Sequence, residues 1–408
     1  MIGEPLRIEI TLSKFAEWRV VERSHLAAEA VAFICFNNDE LIGLVKGIRQ
    51  CLLDANAAGE FQCITLRRLG YRLAEIVLPA PIRMQLHATT DPVEFFLDDT
   101  SICLPVELFP CADSVLAAMV PVSRHWFCEN TISTQNNASR IGNHALIVSD
   151  PTEDLPGAQN EGEMLVRKFR SIGTGWDCRF LGHSISSADF SKELPDTNLL
   201  HLAAHYVDGN SAETSGIKLE NELWIPSVSS HAPELVFANC CRAGLPSSDK
   251  GELSLVGRFL KQGTHHIIAP FLPASDEVAK SFALAFYQSF FSGKNVAEAV
   301  WKARKEIGPA SWIYWHFGSL QTIQISSKTP KSSASGLTVI GIVLASIIAV
   351  LVYLVFLGKK TEMPNSVERS RGISVDDHEA QIQGENAIRI ESAEKPSMKI
   401  APDVDRDF

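Results

Sequence analysis

The chain has 408 residues, enough for two compact domains and a tail, and its 46% hydrophobic and 21% charged residues are typical of a sequence that folds around a core. The net charge of −11 argues against nonspecific nucleic-acid binding, which depends on Lys and Arg contacts to phosphates. The sequence contains no phosphate-cradling glycine loop and no cysteine or histidine spacing typical of a zinc site, so we expect neither an organic cofactor nor a metal.

Residues 1–140 make up a first region, which we predict to be a mixed α+β region. Leu6–Leu12 has a strand-like pattern, and Leu66–Ile76 has the spacing of a helix. Two apolar runs, Val93–Leu97 and Ile102–Leu108, flank a polar turn and predict a hairpin. This region either completes the fold of the next one or senses a trigger, and both roles are open at this point.

The second region, residues 141–325, alternates short apolar runs with amphipathic stretches. Strands that alternate with helices predict an α/β fold with a mostly parallel sheet flanked by helices on both faces. In such sheets, functional sites form beyond the carboxyl ends of the strands. The apolar runs are Ala145–Val148, Cys178–Leu181, Leu199–Ala204, Leu235–Ala238, His266–Ala269 and Trp312–Trp315, and the amphipathic stretches are Met164–Phe169, Leu253–Leu260 and Val278–Phe291.

The remaining chain divides into a linker (326–336), an uncharged apolar segment (337–357) and an acidic tail (358–408). At about 1.5 Å per residue, a helix over 337–357 spans the roughly 30 Å hydrocarbon layer of a bilayer. Buried helices of soluble domains usually keep a polar stripe, and this segment has none, so we predict a transmembrane helix. The tail has few large apolar residues, and we predict that it is disordered.

Small residues recur at every fourth position of this segment, at Gly341, Ala345 and Ala349. Such stripes let helices approach closely, which gives the hypothesis that the protein self-associates through the span. Lys359 and Lys360 after the span favour a cytoplasmic tail. The opposite orientation is favoured by the N-terminal region, because a folded region of over 300 residues without a signal-peptide pattern is not expected to be exported. We expect a single-pass membrane protein whose folded domain faces the cytoplasm.

Two successive apolar runs are followed by residues suited to nucleophilic catalysis. His205 follows Leu199–Ala204, and Cys241 comes shortly after Leu235–Ala238. The carboxyl ends of neighbouring parallel strands face one crevice. A free thiol has a pKa of about 8.5, so at neutral pH a nearby imidazole is needed to take its proton. An isolated cysteine after a strand is usually a packing residue, but with His205 nearby we predict Cys241 as nucleophile and His205 as its base.

The residues around these two positions resemble a known family. One apolar run ends His201-Leu202-Ala203-Ala204-His205, and the other continues into Asn239-Cys240-Cys241-Arg242-Ala243-Gly244. Both patterns are similar to those of the CHAT domain, a branch of the caspase-like and separase-like proteases. Further stretches fit the family in the same order: Leu104–Leu108, Gly251–Gly263, Ile268–Asp276 and Phe286–Val300. The resemblance covers about residues 60–320 and implies a caspase-like three-layer fold.

Two positions depart from the family pattern. Tyr206 stands where the family has Gly, and the resemblance implies that its backbone N–H forms the oxyanion hole together with that of Cys241. Tyrosine supplies the same N–H unless the position needs a positive φ, which costs a bulky residue about 1–2 kcal/mol. Cys240 stands where Ala is common, and because adjacent strand residues face opposite sides, we expect only Cys241 to reach the crevice.

The resemblance also suggests a substrate pocket. Relatives have a pocket-lining residue at the position of Asn239, where a structural hydrogen-bonding role is the alternative. Asp276 either supplies a charge to that pocket or caps a helix that starts at Glu277. For His201, which lies mid-strand, we predict a structural hydrogen bond.

The resemblance implies an enzyme that hydrolyses a peptide bond in one or few protein substrates through an acyl-enzyme. Relatives act in regulated defence or cell-death pathways and on gasdermin-like pore formers. A membrane anchor suits such a substrate, although that step is analogy. The alternative is an inactive, membrane-anchored scaffold that binds a partner on the same fold, and Tyr206 is its support. No nucleic-acid partner is expected.

Overall fold

A large β-sheet runs through the folded part of the chain. The structure is a computed structural model that describes residues 4–325, apart from residues 13–16, 23–29, 36, 59–62, 128–139, 172–174, 208, 210–213, 227–231, 246–253 and 322–323. The described strands are β1 (Leu6–Leu12), β2 (Glu17–Glu22), β3 (Ala30–Cys35), β4 (Val93–Asp98), β5 (Pro110–Cys111), β6 (Ser114–Val115), β7 (Val122–Phe127), β8 (Arg140–Ile141), β9 (His144–Ser149), β10 (Asp177–Leu181), β11 (Leu199–Ala203), β12 (Tyr206–Val207), β13 (Gly216–Lys218), β14 (Leu223–Trp224), β15 (Leu235–Ala238), β16 (His266–Pro270), β17 (Tyr314–Phe317) and β18 (Gln324–Ile325).

Four of the described helices, α6 to α9, begin at a residue whose side chain caps the helix. Asn295, for example, accepts a hydrogen bond from the backbone N–H of Glu298 (2.8 Å) before the last helix, which ends at Gly308 with a φ of 83°. The described helices are α1 (Asn38–Ala58), α2 (Cys63–Val77), α3 (Ala80–Ala88), α4 (Leu116–Met119), α5 (Pro156–Ser171), α6 (Ser187–Glu193), α7 (Leu255–Lys261), α8 (Asp276–Phe291) and α9 (Val296–Ile307), with 3₁₀ turns at Ser101–Cys103, Val106–Leu108, Leu194–Asp196 and Pro309–Ser311.

The large sheet has 11 described strands in the order β10-β9-β11-β15-β16-β17-β7-β4-β1-β2-β3. The strands from β10 to β16 are parallel, and β17, β7, β4 and β1 form a second parallel set. The two sets run in opposite directions because β16 and β17 pair antiparallel, with Ala269 opposite Trp315. The prediction of an α/β fold with a mostly parallel sheet flanked by helices is confirmed.

Burial on both faces explains the sequences of the central strands. Every residue of β11, β15 and β16 is buried, so these strands are continuously apolar rather than alternating. From α8, the rings of Phe282, Phe286 and Tyr287 pack around Phe237 of β15. Burying one such phenylalanine contributes about 1.5–3 kcal/mol, so this packing fixes the strand that leads to Cys241.

Most predicted elements are found at the expected places. β1 spans Leu6–Leu12, α2 contains the predicted helix, and β15 matches the predicted apolar run. β17 begins at Tyr314 rather than at Trp312, because Trp312 caps the 3₁₀ turn that precedes the strand. Sequence periodicity therefore locates the elements well and their ends less well.

The predicted hairpin between Val93–Leu97 and Ile102–Leu108 is wrong. β4 pairs instead with β1 and β7, both in parallel, and the residues after it form two 3₁₀ turns. The buried guanidinium of Arg124 donates to the carbonyls of Ile102 (2.8 Å) and Leu104 (2.7 Å). These carbonyls are therefore satisfied by a side chain from β7 and do not pair with β4.

The two predicted regions contribute strands to the same sheet. β7 comes from residues 1–140 and pairs with β17 from residues 141–325, with Arg124 beside Phe317. All described residues fall within one compact unit, Met1–Pro330. The predicted border at residue 140 falls within β8, which pairs with β18 in a separate small sheet and lies along the chain between β7 and β9 of the large sheet.

Within the described part of the chain, no helix combines the length and the apolar character needed to cross a membrane. The linker (326–336), the predicted transmembrane helix (337–357), its stripe of Gly341, Ala345 and Ala349, and the acidic tail (358–408) lie outside the described residues. Those assignments stay predictions.

Candidate active site

The register of two neighbouring strands brings His205 and Cys241 to one edge of the sheet. Leu202 of β11 lies opposite Ala238 of β15, and the backbone N–H of Asn239 donates to the carbonyl of Leu202 (2.7 Å). His205 and Cys241 each follow that residue pair at the same distance along the chain. Both therefore leave the sheet at the carboxyl ends of its strands, where sites form in α/β folds.

A tight turn follows β15 and presents Cys241. The backbone N–H of Ala243 donates to the carbonyl of Cys240 (3.1 Å), and Arg242 has a φ of 62°, an uncommon value for a non-glycine residue. Gly244 lies so close to β16 that a Cβ atom on it would be 2.9 Å from the carbonyl oxygen of Ala269. A side chain at this position would displace the turn, which gives a physical reason for glycine three residues after Cys241.

The two adjacent cysteines differ in exposure. Cys240 is 1% exposed, its Sγ lies 3.7 Å from the carbonyl oxygen of Leu202, and burial raises the pKa of its thiol. Cys241 is exposed. Of the two thiols, only that of Cys241 is accessible to a substrate, whereas Cys240 packs in the core as a small hydrophobic residue.

The pKa of the Cys241 thiol is raised above its ordinary value. Partial removal of the thiol from water by the surrounding protein contributes most, and the negative charge of Asp276 adds to it. The backbone N–H of Ala274 acts in the opposite direction, because it stabilises the thiolate. At neutral pH the thiol is therefore mainly protonated, and nucleophilic attack needs a base.

His205 is paired with a carboxylate that sequence reasoning missed. Its Nε2 lies 3.0 Å from Oδ1 of Asp154, and the two side chains are 40% and 53% exposed. Asp154 lies in the loop between β9 and α5, so it too follows the carboxyl end of a strand next to β11. A signal was present, because the apolar run of β9 continues into the acidic segment Ser149–Asp154.

Among the described residues, no hydrogen bond joins His205 to Cys241. The backbone of His205 is held by β13, since its carbonyl accepts from the N–H of Lys218 (2.9 Å). Catalytic hydrogen bonds are often long or poorly aligned in the absence of substrate, and both residues lie beyond the carboxyl ends of paired strands.

Asn239 belongs to a buried polar network under Cys241. Its Nδ2 donates to both carboxylate oxygens of Glu161 (2.8 and 2.9 Å), and its Oδ1 accepts from the hydroxyl of Tyr314 (2.6 Å). Nδ1 of His201 lies 3.2 Å from the hydroxyl of Tyr287, and its Nε2 lies 3.0 Å from Glu161 without hydrogen-bond alignment. Glu161 in α5, only 2% exposed, had no signal in the sequence beyond its place in an amphipathic helix.

Asp276 lies close to Cys241 at the start of α8. The alternative that it caps a helix starting at Glu277 is wrong, because α8 begins at Asp276 and the side chain of Ser275 accepts from the N–H of Val278 (3.4 Å). The Asp276 carboxylate is exposed and comes so near α5 that a Cβ atom on Gly157 would be 2.2 Å from its Oδ2. In the described part of the chain, no hydrogen bond or ion pair engages this carboxylate.

Tyr206 starts β12 and pairs with Ile217 of β13. It is half-buried against the core and is not among the described non-glycine residues with positive φ. The tyrosine therefore sits here without the left-handed strain that a glycine-specific position would impose. In the described part of the chain, no group of three His, Cys, Asp or Glu side chains is arranged to hold a metal ion.

The chain was compared with protein families, curated proteins and solved structures. A family model of the CHAT domain matches residues 67–320. Two crystal structures of the Saccharomyces cerevisiae separase–securin complex, at 2.6 and 3.0 Å resolution, are similar to the chain at 14% sequence identity, with TM-scores of 0.37 and 0.36. Each match covers 55% of this chain but only 15% of the solved chain. No curated protein matches the chain.

Proposed function

We propose that the chain, which belongs to the CHAT-domain family, is a cysteine endopeptidase that uses Cys241 and His205. The observation that carries the proposal is the location of an exposed thiol and an exposed imidazole beyond the same ends of two paired parallel strands. Buried Cys240 and buried His201 supply no such pair, because neither side chain is accessible to a substrate.

In the proposed reaction, His205 takes the proton of the Cys241 thiol, and the thiolate attacks the carbonyl carbon of the scissile peptide bond. The backbone N–H groups of Tyr206 and Cys241 stabilise the oxyanion that forms. His205 then gives the proton to the leaving amine, which leaves an acyl-enzyme. Water, activated by the same imidazole, releases the second product and restores the thiol.

The substrate is proposed to be a protein with a basic residue beside the scissile bond. Asp276 supports this, because its exposed carboxylate is near enough to raise the pKa of Cys241. Asn239 contributes to the pocket floor through its partly exposed residue surface, while its amide group is engaged by Glu161 and Tyr314.

The cellular setting is proposed from the sequence alone. The apolar segment 337–357 anchors the protein in a membrane, with the peptidase facing the cytoplasm, and Gly341, Ala345 and Ala349 allow self-association. A regulated role in defence or cell death, with a gasdermin-like pore former as substrate, follows from the family resemblance by analogy.

The test compares wild type with Cys241→Ala, His205→Ala and Cys240→Ala in cells in which the wild type causes substrate cleavage or toxicity. We expect the first two variants to lose the effect and Cys240→Ala to keep it. A peptide probe that reacts with thiols should label wild type at Cys241 and leave Cys241→Ala unlabelled. If all four proteins act alike, the chain works as a binding scaffold and the peptidase proposal fails.

A further inference from the structure

The carboxylate of Asp154 determines which nitrogen of His205 carries a hydrogen. A hydrogen bond from Thr152, followed in weight by the charge and hydrogen bond of His205, lowers the pKa of Asp154, so this group is ionised at neutral pH. An ionised carboxylate can only accept hydrogen bonds. Nε2 of His205, which lies 3.0 Å from Oδ1 of Asp154, is therefore the nitrogen that bears the hydrogen.

A neutral imidazole with its hydrogen on Nε2 has its free lone pair on Nδ1. In the described part of the chain, no hydrogen bond engages Nδ1 of His205, so this nitrogen is available to receive a proton. Cys241 follows the neighbouring strand β15 at the same end of the sheet as His205 follows β11. No described hydrogen bond joins its thiol to another side chain that would hold the proton.

Given the proposed peptidase activity, we propose that Asp154 is a positioning residue that turns His205 so that Nδ1 serves as the catalytic base. The proton of the Cys241 thiol moves to Nδ1 and leaves a thiolate beside an imidazolium ion. Nε2 keeps its hydrogen and its bond to Asp154 throughout, and the negative charge of Asp154 stabilises the imidazolium. The proton on Nδ1 later passes to the leaving amine, so no further acid or base is needed.

The loop around Asp154 is built to hold the carboxylate in place. Oδ1 of Asp150 accepts from the backbone N–H groups of Asp154 (3.1 Å) and Leu155 (2.9 Å). The hydroxyl of Thr152 donates to Oδ1 of Asp154 (2.5 Å), the same oxygen that faces His205. Asp150 and Glu153 have φ values of 48° and 60°, an uncommon conformation that the surrounding bonds maintain.

Other charges also act on this pair and enter any measured pH profile. The titratable and charged groups on the described elements around the pair and the thiol are Asp150, Glu153, His183, Lys218, Cys240, Arg242 and Asp276. All of them except Glu153, the control position, are unchanged in the variants proposed next, so differences between the profiles report on Asp154.

The experiment measures the rate at which iodoacetamide alkylates Cys241 in the full chain between pH 5 and pH 9 (roughly the range of imidazole and thiol titration). Mass spectrometry of the Cys241 peptide separates this thiol from the others. The proteins are wild type, His205→Ala, Asp154→Asn, Asp154→Glu and the neighbouring control Glu153→Gln. Steady-state kinetics on a cleaved peptide are measured in parallel, and the thermal midpoint of each variant shows that it is folded.

We expect Asp154→Asn to slow alkylation at neutral pH about 10-fold and to move its pH profile toward that of His205→Ala. On a peptide substrate, Asp154→Asn should lower kcat about 10- to 100-fold with KM within about twofold of wild type, because the carboxylate contacts the base and not the substrate. Asp154→Glu should recover part of the loss, and Glu153→Gln should match wild type.

Two results would overturn the proposal. Asp154→Asn could match wild type in alkylation while His205→Ala is slowed, or it could react faster, which would make Asp154 a restraint on the imidazole. Because alkylation needs no substrate, the outcomes separate the positioning role of Asp154 from the peptidase activity. If Asp154→Asn slows alkylation but the chain cleaves no peptide, the positioning role stands and the peptidase proposal fails. If the chain cleaves peptides through Cys241 and Asp154→Asn leaves that cleavage unchanged, the peptidase proposal stands and the positioning role fails.

Discussion

Two pairs in this molecule each join a basic side chain to a carboxylate, but one pair is exposed and the other is buried. His205 and Asp154 meet at the sheet edge with side chains that are 40% and 53% exposed. Arg124 and Glu107 meet in the interior with side chains that are completely buried, and Nε of Arg124 donates to Oε1 of Glu107 (2.8 Å). The first pair is accessible to solvent, and the second is not.

The buried pair is part of a larger structural cluster. The guanidinium of Arg304 lies 3.9 Å from the same Glu107 carboxylate, and burial lowers the pKa of Arg304 to about 10. Arg124 stacks over the ring of Trp315, 3.7 Å from its centroid, and also bonds two backbone carbonyls after β4. The buried Arg124–Glu107 pair therefore connects β7, β17 and α9 in the interior. The His205–Asp154 pair at the sheet edge makes no such connection and is exposed to solvent.

The largest expected effect is on stability, from breaking the buried pair. Glu107→Gln leaves two buried guanidinium groups without a carboxylate, and we expect a loss of about 3–5 kcal/mol in the free energy of unfolding. Urea unfolding of the full chain measures it, with Asp154→Asn as the exposed counterpart, for which we expect a change below about 1 kcal/mol. Equal losses in the two variants would show that burial does not distinguish the pairs.

Acid should destabilise the interior through two stacked histidines. Nδ1 of His266 lies 3.1 Å from Nε2 of His316, and burial lowers the pKa of His266 to about 3 and that of His316 well below its usual value. The unfolded chain binds these protons near pH 6.5 and the folded chain does not, so stability falls as pH drops from about 6.5 toward 3, by roughly 1.4 kcal/mol per pH unit for each histidine.

The measurement is the free energy of unfolding against pH for wild type, His266→Gln and the exposed control His144→Gln. The slope below pH 6.5 (the usual histidine pKa) should flatten in His266→Gln and stay unchanged in the control. An unchanged slope in both variants would mean that carboxylates alone account for the acid sensitivity.

A loss of stability of intermediate size is expected from substitution of Asn239, a partly exposed residue that contacts buried side chains. Asn239→Ala removes both donors to the buried Glu161 carboxylate and the acceptor for Tyr314, and we expect a loss of about 1–3 kcal/mol in the free energy of unfolding. Asn160→Ala, an exposed change on the same helix as Glu161, is the control. If Asn239→Ala alters peptide selectivity without loss of stability, its main role is in the pocket.

The smallest expected effect is electrostatic, at the exposed edge. The charge of Asp276 raises the pKa of Cys241, so Asp276→Asn should lower that pKa and move the midpoint of iodoacetamide alkylation to lower pH. Glu277→Gln, which removes a neighbouring exposed charge paired with Lys280, is the control. A midpoint that moves upward would reverse the sign of the proposed interaction.

Local sequence patterns predict the strands of this fold that are buried on both faces. β11, β15 and β16 are recognisable because both faces are covered, so each strand is one apolar run. The hairpin prediction failed because its outcome depends on Arg124, a residue distant in sequence whose guanidinium satisfies backbone carbonyls after β4. No local periodicity reports such a contact.

The candidate site also contains residues that local sequence patterns predict and residues that they do not. His205 and Cys241 follow predictable strands, and the pairing of β11 with β15 brings both to one edge of the sheet. Asp154 lies in a loop whose conformation comes from side-chain bonds to its own backbone, and Glu161 is one polar residue in an amphipathic helix. Their importance arises from what faces them across the fold, which requires the three-dimensional arrangement.

The position of β17 has a consequence for how the protein is made. β17 is the last strand of the large sheet to leave the ribosome, yet it lies between β16 and β7 in the middle of the sheet. Until residues 314–317 emerge, the nascent chain has two sheet halves with open inner edges, and open edges invite pairing with other chains. Premature termination in this short segment would therefore yield an aggregation-prone product rather than a smaller working domain.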